Sequence, residues 1–189
     1  MNIGIDIDDT ITNLQPTLFA YAQKYDCENF NGKCLLDPYG HNTWDMFSWN
    51  DEHQIKFWEA IYDEMLNNVP IKPFAKEIIN KLKEHNNIYI ITARNERDIK
   101  GITNFTKVWL DKIGIKYDEL HVDQQDKEIM AVKKELDVFI DDAPRNCERV
   151  SSKGIKTYIM DSIHNRNYKN ENIERVYSWP EFYNKITNK

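Results

Sequence analysis

No stretch of this sequence approaches the ~20 consecutive apolar residues that a membrane span needs. Its longest apolar runs are short, as in IYIITA at 88–93 and DVFIDD at 137–142. The opening MNIGIDIDDT lacks a basic n-region and a small-residue cleavage site, so no secretory signal and a cytoplasmic location are expected. Cysteine is scarce, and Cys27, Cys34 and Cys147 form no CxxC pair. That pattern predicts free thiols in a reducing compartment rather than a disulfide framework or zinc site. Six glycines and six prolines are too few for a low-complexity linker protein. No basic run is present, and the formal net charge is −6 with a pI near 5.4. Small-molecule chemistry fits that balance better than duplex binding, and no stable nucleic-acid partner is expected. What the chain does have, 41% hydrophobic and 12% aromatic residues, is enough for a folded core. Its 189 residues suit one domain, or one domain with an insertion, able to bury roughly 70% of the unfolded surface.

Five short β-rich runs stand out: NIGIDI (2–7), IYIITA (88–93), ELHV (119–122), DVFIDD (137–142) and IKTYIM (155–160). Helical patterns lie between them. Residues 73–85 place Phe74, Ile78, Ile79 and Leu82 on one face after a proline suited to a first turn. Residues 103–113 precede Gly114, residues 144–153 precede Gly154, and 126–136 form a further helix. This alternation predicts an α/β fold with a doubly wound parallel sheet. Asn-rich 165–172 reads as a surface loop, and 179–186 as a terminal helix.

Residues 14–70 break the alternation with two helical stretches, about 14–25 and 51–67, around an irregular segment. Eleven of the 23 Phe, Trp and Tyr residues fall between Phe19 and Tyr62. A small helical cap at 14–70, inserted into a core of 1–13 and 71–189, accounts for this arrangement. Some of the rings must form the cap's own core. His41 and His53 lack partners at ligand spacing and read as solvent-exposed.

In open α/β sheets ligands bind beyond the carboxyl ends of the strands. The first strand delivers Asp6, Asp8 and Asp9 there, the fourth delivers Asp141 and Asp142, and a middle strand ends in Thr92 and Arg94. Acids gathered at one edge repel unless a cation sits among them, and hard carboxylate oxygens suit Mg²⁺. A lone Asp9 or Thr10 would be an ordinary helix-capping residue; the combination in chain order is the specific signal.

That combination, Asp6-Ile7-Asp8-Asp9-Thr10, Thr92, a later lysine and Asp141-Asp142, resembles the four motifs of the haloacid dehalogenase-like phosphatases, spanning residues 2 to about 160. Within that superfamily the chain is most similar to the cytosolic 5'(3')-deoxyribonucleotidases and their bacterial relatives, through its small cap, short length and FIDDAPRN motif. It departs from the mammalian members in reading DIDDT without a glycine, and in following Thr92 with Ala93-Arg94-Asn95. The resemblance implies a Mg²⁺-dependent phosphomonoesterase, most simply a 5'-nucleotidase for deoxyribonucleotides. In it Asp6 is the nucleophile that forms an aspartyl-phosphate. Asp8, on the same side as Asp6 if the strand continues, is the acid and base, with its carbonyl on the metal. Asp6 and Asp142 are the side-chain metal ligands, with Asp141 beside them, and Thr92 binds a phosphoryl oxygen. Lys127, favoured over Lys133 and Lys134 because it opens its helix, is the phosphate-neutralising cation. Arg94 contacts substrate or an acidic neighbour, and Asp9 and Thr10 orient the loop. For the nucleotide that the resemblance implies, Phe19, Trp44, Phe47, Trp49 and Trp58 of the cap are candidates for a wall that stacks on the flat base, with Phe19 and Trp44 as the base contacts.

The same motifs also fit a phosphatase for sugar phosphates or for a polynucleotide 3'-phosphate. A non-catalytic nucleotide-sensing module would keep the fold but has no use for both a nucleophile and an acid. Aromatic surface on the cap also leaves room for a homodimer.

Overall fold

The computed structural model describes residues 1–97 and 99–187. In chain order its elements are β1 (Asn2–Ile5), α1 (Leu14–Phe30), α2 (Thr43–Met46), α3 (Asp51–Asn68), α4 (Ala75–Lys83), β2 (Asn87–Ile91), α5 (Ile102–Ile113), β3 (Glu119–His121), α6 (Lys127–Lys133), β4 (Val138–Asp141), α7 (Pro144–Ser151), β5 (Lys156–Met160), β6 (Glu174–Val176) and α8 (Trp179–Thr187). They form two compact units, one of Met1–Thr12 with Ile71–Lys189, the other Asn13–Pro70. Among the described residues no helix is long and apolar enough to cross a membrane.

The first unit is a six-stranded sheet in the order β3-β2-β1-β4-β5-β6, every pair parallel. The chain runs outward from β1 through β2 to β3, then returns to β4 and runs outward the other way. The boundary between β1 and β4 is therefore the topological switch point, where such sheets open a crevice at their carboxyl ends. In the register across it Ile5 faces Ile140, so Asp6 and Asp141 emerge side by side. The strands read as apolar runs because helices cover both faces. On one face Ile3, Ile5, Ile88, Ile90 and Ile140 pack with Ile79, Leu82, Leu110, Trp179 and Phe182; on the other, Ile91 and Phe139 pack with Ala131, Leu136 and Val150. Each fully buried aliphatic contributes roughly 1.5–3 kcal/mol.

Helix boundaries follow local chemistry. Pro144 opens α7. Gly114, at φ 76°, ends α5, its N–H and that of Ile115 closing on Leu110 and Asp111 carbonyls. Helix α8 returns to the middle of the unit, where the buried Trp179 donates its indole N–H to the Thr10 carbonyl at 3.2 Å. Strand β6 was not expected: three residues after an Asn-rich stretch carry too little pattern to read. That stretch is also not wholly surface, because Asn165 is buried at the end of a 3₁₀ turn over Ile163–Asn165.

The second unit is helical, with an aromatic core. Phe47 and Trp49 stack at 4.5 Å, and Tyr25 meets Trp49 edge-on at 4.9 Å and Phe57 at 5.4 Å. The buried Asp26 accepts the Trp49 indole N–H at 2.7 Å and the Cys34 N–H at 3.2 Å. Asn42 and Asn50 cap α2 and α3 through Asp45 and His53 N–H groups. These contacts correct two expectations. Phe47 and Trp49, candidates for a base-binding wall, belong to the unit's own core. His53 is half-buried, its Nδ1 3.1 Å from the Tyr25 hydroxyl, rather than exposed. Phe19 is half-buried and stacked on Phe47, and Trp44 is exposed.

Candidate active site

Strand β1 stops at Ile5, two residues short of the run in the sequence, so Asp6 and Asp8 are not aligned by strand pleat. Asp8 sits instead in a tight turn: the N–H groups of Thr10, Ile11 and Thr12 all converge on the Ile7 carbonyl. Buried Ile7 anchors that turn, and Asp9 takes the left-handed conformation at φ 56° that aspartate tolerates better than most residues. The Asp6 N–H donates to the Ile140 carbonyl at 3.1 Å, which continues the β1–β4 ladder by one step and fixes Asp6 beside Asp141.

The first residue of α6 completes the centre. Lys127 is 2% exposed, and its ammonium bonds to Asp6 and, at 2.7 Å, to Asp141. Lys133 is exposed, and Lys134 pairs with Glu119 at 2.6 Å. Asp141 also accepts from the Ala143 N–H at 2.8 Å and from the Asn146 amide at 3.1 Å. Asp142 accepts from the Thr10 hydroxyl at 3.3 Å and lies 3.1 Å from His164 Nε2. The Asn165 amide holds the Asp142 carbonyl at 2.7 Å.

One carboxylate oxygen from each of Asp6, Asp141 and Asp142 falls within 4.8 Å of the others, and all three residues are buried. Burial raises the Asp6 carboxyl well above its ordinary value, opposed by Lys127 and reinforced by Asp141 and Asp142. Burial also raises Asp142, with Asp141 and Asp9 adding to it. At Lys127 burial works against the charge, but Asp141 and Asp6 outweigh it and hold the ammonium above its usual range. Three buried carboxylates thus lie together, with one buried lysine bonded to two of them. Oxygen donors in that surplus suit a hard divalent cation.

Thr92 is buried one residue past β2, its N–H on the His121 carbonyl and its own carbonyl held by the Gln124 N–H. Arg94 contacts Asp8: its Nε and Nη2 donate to the two carboxylate oxygens at 2.9 and 2.5 Å. This is the acidic neighbour that the sequence left open for it, in a pair whose arginine is buried and whose aspartate is half-buried. Phe19 and Trp44 belong to the helical unit. Sequence reasoning missed Asn146, His164, Asn165 and Lys72. Asn146 lies in FIDDAPRN, one turn past the acids, and was legible as a helix-start residue. Half-buried Lys72, 3.2 Å from the Asp161 carbonyl, has its charge opposed by burial and favoured by Asp9 and Asp142, but nothing in its local sequence marks it.

The fold is that of the haloacid dehalogenase-like hydrolases. A hydrolase of that family from Streptococcus pneumoniae superimposes with TM-score 0.68 at 12% identity, covering 98% of each chain. A haloacid dehalogenase superfamily hydrolase from Geobacter sulfurreducens gives 0.63 at 11%, covering 98% of this chain and 95% of that one. Over residues 1–189 the sequence matches the family described as 5' nucleotidase, deoxy (pyrimidine), cytosolic type C, and the chain belongs to that family. It is a phosphoric monoester hydrolase. A nucleotidase of Clostridium acetobutylicum is 30% identical over 97% of this chain and 92% of the relative. A Staphylococcus aureus protein provisionally named a 5'(3')-deoxyribonucleotidase is 24% identical over 95% and 92%.

Proposed function

We propose that the protein hydrolyses deoxyribonucleoside 5'-monophosphates in a Mg²⁺-dependent reaction through a phosphorylated Asp6. The observation that carries this reading is the buried group of Asp6, Asp141 and Asp142 with Lys127 bonded to two of them. Asp6 and Asp142, with Asp141 beside them and the Asp8 carbonyl, are the proposed holders of Mg²⁺, which supplies charge neutralisation between a phosphate dianion and a carboxylate nucleophile.

Asp6 attacks phosphorus, a new O–P bond forms, and the ester P–O bond breaks. The departing nucleoside oxygen takes a proton from Asp8. A water molecule then attacks the same phosphorus, gives a proton back to Asp8, and displaces the Asp6 carboxylate with inorganic phosphate. Lys127 keeps Asp6 oriented and offsets phosphate charge, and Thr92 donates to a phosphoryl oxygen. On this proposal 1–13 and 71–189 are the catalytic core and 14–70 is a cap that chooses the base, with Phe19 and Trp44 as the base contacts. The family description and the name of the Staphylococcus aureus relative support a deoxynucleotide substrate.

The test is phosphate release from a panel of nucleoside monophosphates and sugar phosphates, with Mg²⁺ and with EDTA, alongside Asp6→Asn. Metal-dependent release from deoxynucleotides, lost in Asp6→Asn, is expected. Release from sugar phosphates alone would overturn the nucleotide assignment and keep the chemistry.

A further inference from the structure

We propose that Arg94 is a positioning residue that fixes the carboxylate of Asp8 for proton transfer, and does not itself bind substrate. This rests on the phosphatase reading above and adds a residue to it.

Because β1 ends at Ile5, no strand geometry aims Asp8. The turn hydrogen bonds hold its backbone and leave its side chain, 29% exposed, to be placed by something else. Arg94 does this with a planar fork, two parallel N–H donors on two carboxylate oxygens, which fixes orientation as well as distance. The guanidinium is itself held. Its Nη1 reaches the Thr106 hydroxyl at 3.4 Å, and its carbon lies 5.6 Å from the centre of the Trp109 ring. Both partners are on α5 and buried. Its backbone carbonyl accepts the Asp123 N–H at 2.7 Å, and the neighbouring Ala93 carbonyl accepts the Gln125 amide at 2.8 Å.

The side chain of Arg94 is 6% exposed, against 29% for Asp8, so the acid faces outward and the base of the fork lies behind it. A guanidinium in that place costs too much to bury without its carboxylate. With each terminal nitrogen engaged, the arginine is better built to hold Asp8 than to leave it for a phosphate.

Leaving-group chemistry separates the possibilities. Departure of a nucleoside alkoxide needs the proton from Asp8, whereas p-nitrophenolate leaves without one, and kcat/KM reports the steps up to that departure. Arg94→Lys and the milder Thr106→Val would be measured on a deoxynucleoside monophosphate and on p-nitrophenyl phosphate, beside Asp8→Asn and the double variant Asp8→Asn/Arg94→Lys. For Arg94→Lys we expect kcat/KM to fall about 10²-fold on the nucleotide and at least ~10-fold less on the aryl ester. Thr106→Val should give the same pattern, weaker. The double variant should be no worse than Asp8→Asn alone.

Equal losses on both substrates with raised KM would mean that Arg94 binds the phosphate, and would overturn the proposal. Losses on both that track a lowered Tm would reduce Arg94 to a structural role and overturn it as well. A wild-type protein that releases phosphate from neither substrate would instead bring down the phosphatase reading itself.

Discussion

The two units bury unlike things. At the carboxyl edge of the sheet the interior holds charge: Asp6, Asp141, Asp142 and Lys127 are each at most 4% exposed. In the helical unit the interior holds rings, with Asp26 buried as an acceptor for Trp49 and the Cys34 backbone. Rings attract one another in many orientations and stabilise whatever encloses them. Clustered carboxylates repel, and persist only where other contacts hold them, here backbone register and Lys127. The first arrangement serves stability and the second, on the function proposed above, chemistry, so substitutions in the two units should separate stability from activity.

The largest expected effect is at Asp6. Asp6→Asn should lower phosphate release by on the order of 10³-fold or more. It also removes one of three crowded negative charges, so thermal unfolding should show a Tm no lower than wild type. A lower Tm would contradict the idea that the acids are strained by proximity. Lys127→Met should do the reverse, leaving the acids uncompensated and costing roughly 3–5 kcal/mol in denaturant unfolding. Added Mg²⁺ should restore more stability to this variant than to wild type.

In the helical unit Phe57→Ala should cost about 3–5 kcal/mol because the ring is wholly buried among Tyr25, Trp49 and Trp58. Substituting the exposed Trp44 in the same unit, Trp44→Ala, should leave the Tm unchanged and raise KM for the nucleotide. If KM and kcat are both unaffected, Trp44 is not a base contact.

The smallest effect concerns the edge of β2. Partial burial works against the Asp118 charge, yet the Ile88 N–H at 2.7 Å and the Lys83 ammonium at 3.0 Å hold its carboxyl below the ordinary value. A carboxyl depressed in the folded state contributes stability above its unfolded value and loses it as pH falls through the folded one. Asp118→Asn should therefore cost up to ~1 kcal/mol near neutral pH, and the difference from wild type should vanish on acidification.

The strong features of the fold were legible because they repeat. Five short apolar runs, separated by amphipathic helices, admit few topologies, and acids at two run ends point to one sheet edge. Lys127 was legible for a further reason, its place at a helix start. Helix α2 and strand β6, four and three residues long, carry too few positions for any period. The end of β1 was misplaced because Ile7 continues the apolar alternation while its carbonyl collects the turn. No local pattern could distinguish Trp49 from Trp44 either. One has Asp26 for its indole and the other faces solvent, a difference made by packing between residues far apart in sequence.

The Trp179 indole bonded to the Thr10 carbonyl spans 169 positions, and β1 must wait for β4 to pair on its second side. Contacts this distant form late, since a long loop must close before they return any energy. During synthesis the first strand therefore emerges well before its later neighbour, with one edge unpaired and its acids still without Lys127 or Asp141. Such an edge is open to association with other chains until the second half arrives. A ribosome-bound chain lacking α8 would already carry all four motifs without the bond that ties their first loop to the core.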